Sequence, residues 1–165
     1  MAARAGRSAE FPVSEELIVT RVLDAPPDVV WKAWTDPERF MLWWGPEGFI
    51  SPACRIDLRV GGKYLACMRS PEGRDYWSTG VYREIVPEEK IVYTDNFADA
   101  EGNVVPASYY GMEGDWPSES LVTVTFEEDG GKTVMTLRHV GIPPETISDC
   151  RAGWSGSFDK LARIV

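Results

Sequence analysis

Residues able to do acid–base, nucleophilic or metal chemistry are few in this chain. His139 is the only histidine, so no Ser–His–Asp, Cys–His or two-histidine metal constellation can draw on a second one. Facing inward, it could polarise a carbonyl or act as a lone acid or base; the competing reading is a hydrogen-bonded strand histidine. Asp57, Glu84, Asp95 and Glu113 have no spacing that demands a carboxylate pair. Asp57 stands between Arg55 and Arg59, where a surface ion pair suffices. Cys54, Cys67 and Cys150 form an odd, widely spaced set with no CxxC, and reduced, partly buried thiols are expected. The glycine-rich stretches are hairpin loops, because neither leads from a strand into a helix as a phosphate cradle must. No metal and no cofactor is expected.

The main chemical signal is aromatic: seven tryptophans, and 12% aromatic residues. Met68, Trp77, Tyr93, Met112, Trp116, Trp154 and Phe158 offer ring faces and soft thioethers for a pocket that suits a flat apolar ligand, with His139 or a tyrosine hydroxyl to orient it. The competing reading makes these residues ordinary core. Trp31, Trp34, Trp43 and Trp44 are expected in the core, since short helices need large anchors to dock. The stretch from Ala98 to Ser118 exceeds a hairpin turn and carries Tyr109, Tyr110, Met112 and Trp116 among glycines. A lid over a cavity mouth is the functional reading; a disordered excursion or a dimer contact is the alternative.

The elements that must position these residues are legible in the pattern. Glu16 to Leu23 is β-branched and apolar and predicts a first strand. Pro26-Pro27 starts a helix with Val30, Ala33 and Trp34 on its buried stripe. A second short helix follows, with Thr35 and Glu38 as a capping box or Asp36 as cap before Pro37, ending at Gly45-Pro46. Cys54, Ile56 and Leu58 alternate with charged residues and predict a hairpin through Val60-Gly61-Gly62. Its expected register sets Leu58 against Tyr64, Ile56 against Ala66 and Cys54 against Met68, with the apolar residues on one face. Strands near Tyr76 to Val86 and Ile91 to Phe97 follow; their alternation leaves either face as the inward one, and Gly80 is a candidate bulge. A further hairpin opposes Val122, Val124 and Phe126 to Leu137, Met135 and Thr133 and points His139 inward. Pro143-Pro144 then starts a long helix whose stripe is Ile147, Cys150, Trp154, Phe158, Leu161 and Val165. Gly156 falls on its predicted solvent face. Strand, two short helices, six strands and one long helix predict an α+β helix-grip fold, a curved antiparallel sheet wrapped on the C-terminal helix.

The chain has 165 residues, with 44% hydrophobic and 26% charged, and fits one globular domain over 15–165 behind a disordered tail over 1–14. Net charge is −9, from 17 basic and 26 acidic residues. No basic stripe forms, which argues against nucleic acid. No apolar run approaches the ~20 residues that span a bilayer, and the first ten residues lack a signal core. A cytoplasmic protein without membrane insertion is expected, as monomer or weak homodimer.

Five separated motifs carry a resemblance: APPDVVWKAWTDPE, WWGP-x-GF, C-x-IDLRVGG-x-Y, G-x-Y-x-EI-x-P and GW-x-x-SFDKLA. Together, over roughly 15–165, they resemble the activator of heat-shock protein 90 ATPase homologue-like family, in the START-like, birch-pollen-allergen-like superfamily. The resemblance implies a hydrophobic cavity that takes lipid-, polyketide- or flavonoid-like molecules. It also implies alternatives: a protein-interaction or co-chaperone role, although the eukaryotic co-chaperones carry an additional N-terminal domain not expected here, or a polyketide-cyclase-like or hydrolase-like enzyme using His139. The expectation adopted is binding of a small hydrophobic ligand between sheet and long helix, with no chemistry required.

Overall fold

The computed structural model describes residues 16–112, 114–117 and 119–165. The tail expected over 1–14, Glu113 and Ser118 lie outside the described residues. Strand β1 (Leu17–Leu23) leads to α1 (Pro27–Thr35) and α2 (Pro37–Phe40). Six strands follow: β2 (Cys54–Ile56), β3 (Lys63–Arg69), β4 (Asp75–Val86), β5 (Lys90–Ala98), β6 (Ser120–Asp129) and β7 (Lys132–Val140). The last element is α3 (Ile147–Ile164). The strands form one antiparallel sheet in the order β1-β7-β6-β5-β4-β3-β2, and α3 packs on its inner face: the helix-grip architecture expected from the pattern.

Local chemistry accounts for the short helices. Pro27 opens α1, where a missing N–H costs nothing. Asp36, not Thr35, caps α2, accepting from Glu38 N at 3.1 Å with Pro37 in the first turn. This helix is shorter than expected and stops at Phe40; tight turns carry the chain on through Trp43. Trp43 is fully buried and donates from Nε1 to the Ala33 carbonyl at 2.9 Å, clamping the two helices together.

Both hairpins differ from the expected registers by two residues, and only the residues that remain paired keep the expected faces. Cys54 pairs with Ala66 and Ile56 with Tyr64, because β2 ends at Ile56 and residues 57–62 form a longer loop. Leu58 therefore lies in that loop, 38% exposed, not on the inner face. In the second hairpin Val122 opposes His139, Val124 opposes Leu137 and Phe126 opposes Met135, since only Gly130-Gly131 turns the chain, both at positive φ. A two-residue shift conserves which face a side chain occupies, so alternation alone does not detect it.

Two glycines also differ from expectation. Gly80 is not the bulge, which falls between Tyr82 and Glu84. Gly80 is instead a close approach: a Cβ there would lie 1.7 Å from the Thr94 carbonyl oxygen. Gly156 does not face solvent but is buried against the loop after α2, where a Cβ would meet Glu47 N at 2.9 Å. The helix is tied to the sheet by Arg21, which donates to Ser155 Oγ at 2.7 Å and pairs with Asp159 at 2.7 Å.

Candidate functional site

Between the sheet, α3 and the β5–β6 connection lies a cavity of about 670 Å³, open to solvent on one side. The sheet contributes Met68 from β3, Trp77 and Ser78 from β4, Asp95 and Phe97 from β5, Ser120 from β6 and His139 from β7. The helix contributes Cys150, Gly153, Trp154 and Ser157, while Trp44 to Pro46 close one side. Val104 to Ala107, Met112 and Trp116 form the remaining wall.

That last wall is built, not bare loop. Asp99 accepts from the backbone N–H groups of Glu101 and Asn103, turning the chain, and Val104 bridges back to Ala98. A short 3₁₀ helix, Ala107–Tyr110, then places the buried Tyr110 hydroxyl between the Ala98 carbonyl, to which it donates, and Trp77 N, from which it accepts at 3.0 Å. Arg74 adds a bond to the Tyr110 carbonyl at 3.1 Å.

Of the residues singled out in the sequence, Met68, Trp77, Met112, Trp116, His139 and Trp154 converge on this cavity. Tyr93 and Phe158 do not. Tyr93 packs edge-to-face on Tyr64 and Tyr82, with ring centroids 5.3 and 6.2 Å away, beneath the short helices. Phe158 lies one helical turn beyond Trp154, fully buried against Trp34 and Trp43. Trp44, expected in the core, instead lines the cavity, its ring edge-on to Trp154 at 5.4 Å.

One end of the cavity is polar. Trp154 Nε1, which can only donate, gives its hydrogen to His139 Nδ1 at 3.2 Å. The proton of the neutral ring therefore sits on Nε2, which faces Ser120 Oγ at 2.9 Å. Ser120 in turn donates to the Asp95 backbone carbonyl at 3.1 Å. Burial pushes the His139 pKa down to about 4, so the ring is neutral at physiological pH. The Asp95 carboxyl accepts from the Tyr64 hydroxyl at 2.6 Å, and its Oδ2 lies 3.7 Å from His139 Nε2. Burial raises its pKa to about 6, against the opposing effect of the Tyr64 hydrogen bond.

Ser120, His139 and Asp95 share a corner but not the relation of a hydrolytic triad. There the carboxylate holds one ring nitrogen while the other accepts the serine proton. Here Ser120 and Asp95 both face Nε2, and Nδ1 is taken by a donor. His139 thus has no free lone pair with which to activate Ser120. Cys150 offers no nucleophile either, because burial raises its thiol pKa to about 11. Among the described residues no group of His, Cys, Asp and Glu side chains could hold a metal ion.

Asp95 and Ser120 were not identified from the sequence. The available signal was alternation: Asp95 continues the inward set Ile91 and Tyr93, and Ser120 precedes Val122 and Val124 on theirs. A polar residue continuing an apolar face is the trace such a site leaves.

Fold and cavity together define a START-like, helix-grip protein. The profile of the family described as Activator of Hsp90 ATPase homolog 1-like protein matches residues 24–165, and the chain belongs to that family. Protein CV1439 from Chromobacterium violaceum is 32% identical, with a TM-score of 0.73 over 93% of this chain and 98% of that one. The AHSA1 (SPO3351) protein from Silicibacter pomeroyi is 24% identical, with a TM-score of 0.71 over 90% and 95%. Protein Ms6760 from Mycobacterium smegmatis is 23% identical, with a TM-score of 0.76 over 92% and 90%. The search of curated proteins finds no match. Among the described residues no helix is long and apolar enough to cross a membrane.

Proposed function

We propose that this protein binds a small hydrophobic molecule with a flat or aromatic body in the cavity between sheet and α3, without transforming it. The observation that carries this reading is the cavity itself: about 670 Å³ walled by tryptophan faces from strand, helix and loop. Binding pockets for small molecules run to about 300–1,000 Å³ and combine apolar walls with a few convergent polar groups. Area burial and offset stacking on Trp77, Trp116 and Trp154 supply affinity, and the Asp95–Ser120–His139 corner supplies orientation.

Native mass spectrometry of the purified protein, followed by tryptophan-fluorescence titration with flat apolar compounds, tests this. A co-purified small molecule or saturable quenching supports binding. A clean apo mass with no quenching across the panel contradicts it. The family's description points to a second reading, stimulation of the Hsp90 ATPase. A rise in that ATPase rate on mixing favours the protein-interaction reading instead.

A further inference from the structure

Among the described residues that line the cavity, Asp95 is the only one with a formal charge at neutral pH; no lysine or arginine is present. The Asp95 side chain retains 23% exposure, and the Tyr64 hydroxyl occupies Oδ1. Oδ2 takes no hydrogen bond among the described residues: the nearby His139 Nε2 is 3.7 Å away and faces Ser120 at 2.9 Å. A carboxylate withdrawn from water without a cation is costly, and the described lining residues supply none.

We infer that the cavity selects hydrophobic molecules bearing a protonated amine, seated with the ammonium on Asp95 and the apolar body against the tryptophan walls. The inference rests on the binding reading above and names the chemical class for that site. The ammonium completes the ion pair that the lining leaves open, and a nearby indole face adds cation–π attraction. A ligand carboxylate meets repulsion from Asp95 with no compensating cation, so acids of the same shape are rejected.

The test is calorimetric titration at about pH 8, where carboxylate and amine are both ionised, with three probes of one shape: naphthylethylamine, naphthylethanol and naphthylacetic acid. The amine is expected to bind about tenfold or more tighter than the alcohol, and the acid weakest, the scale of a charge-assisted hydrogen bond. Asp95→Asn is expected to erase the amine's advantage over the alcohol within the variant. A second arm needs no variant. Lowering the pH to about 5 largely protonates the free Asp95, whose pKa burial sets at about 6, and should shrink the amine's advantage several-fold in the wild-type protein. The other titratable groups facing Asp95 stay fixed over that range: Tyr64 on β3 and Tyr93 on β5 titrate well above 10, Cys150 on α3 at about 11 and His139 on β7 at about 4. Equal affinities for amine and alcohol at the higher pH would overturn the inference and leave the binding reading standing. An amine advantage that survives Asp95→Asn, or that acidification leaves undiminished, would overturn it too. No binding by any of the three would contradict both.

Discussion

Two aromatic clusters occupy the space between the sheet and α3. Under the short helices, Trp34, Phe40, Trp43 and Phe158 interlock with ring centroids 4.8 to 6.5 Å apart, and the residual void beside them is only about 10 Å³. One helical turn away, Trp44, Trp77, Trp116 and Trp154 surround about 670 Å³. Trp154 joins the clusters, stacking on Trp34 at 6.3 Å while also facing the cavity. Residue type does not separate the two regions. What separates them is filling: α1 and α2 push side chains into the first, whereas the β5–β6 connection walls the second and is tied to β4 and β5 through Tyr110. Aromatic content therefore marks both a filled core and a cavity wall, and the neighbouring backbone decides which it becomes.

The largest expected consequence is in stability. Trp43→Ala should cost about 3–5 kcal/mol in chemical denaturation, the range for truncating a buried aromatic, whereas Trp77→Ala in the cavity wall should cost about 1 kcal/mol. Equal costs would break the distinction between the two regions.

Acid–base behaviour of the polar corner gives the next effect. Asp95 titrates at about 6 in the fold against an ordinary 3.8, so the folded chain holds the extra proton between them and stability falls as pH rises through that interval. His139 titrates at about 4 against 6.5, so the unfolded chain holds the extra proton and stability rises with pH. In the wild-type protein the two trends oppose. Asp95→Asn should expose the rising limb and His139→Gln the falling one, each about 3 kcal/mol in full extent when unfolding is followed by urea titration across the range. Parallel slopes in the two variants would remove the assignment of opposite shifts.

A smaller effect concerns the seam between α3 and the loop that closes the cavity. Gly156→Ala would drive a methyl to 2.9 Å from Glu47 N and should destabilise by about 1–3 kcal/mol, outweighing the better helix propensity. At Gly153 the nearest atom is Pro46 Cγ at 3.7 Å, so Gly153→Ala should stabilise by up to about 1 kcal/mol. Thermal unfolding of both separates a tight seam from a loose one.

These regions were unequally legible in the sequence. Period-2 and helical patterns carried the element order, the inward face of His139 and the stripe of α3, because burial imposes those periods directly. Hairpin registers were not legible, since a two-residue slip leaves the same side chains inside. Gly156 was misplaced because a polar stripe and a backbone contact look alike when the contacting loop is unknown. Tyr93 and Phe158 share the face and chemistry of the true lining residues, and only the position of the short helices removes them from it. Asp95 escaped because an isolated carboxylate gains meaning only when strands β3, β5, β6 and β7 bring Tyr64, Ser120 and His139 around it.

The central claim, that one aromatic cluster receives a ligand and the other does not, is open to direct observation through the indole N–H signals of the seven tryptophans. In a nitrogen–proton correlation spectrum titrated with the neutral naphthylethanol, the Trp44, Trp77, Trp116 and Trp154 signals should shift saturably together. The Trp31 and Trp43 signals should stay in place. No movement at the cavity tryptophans, or equal movement of Trp31 and Trp43, would contradict the account.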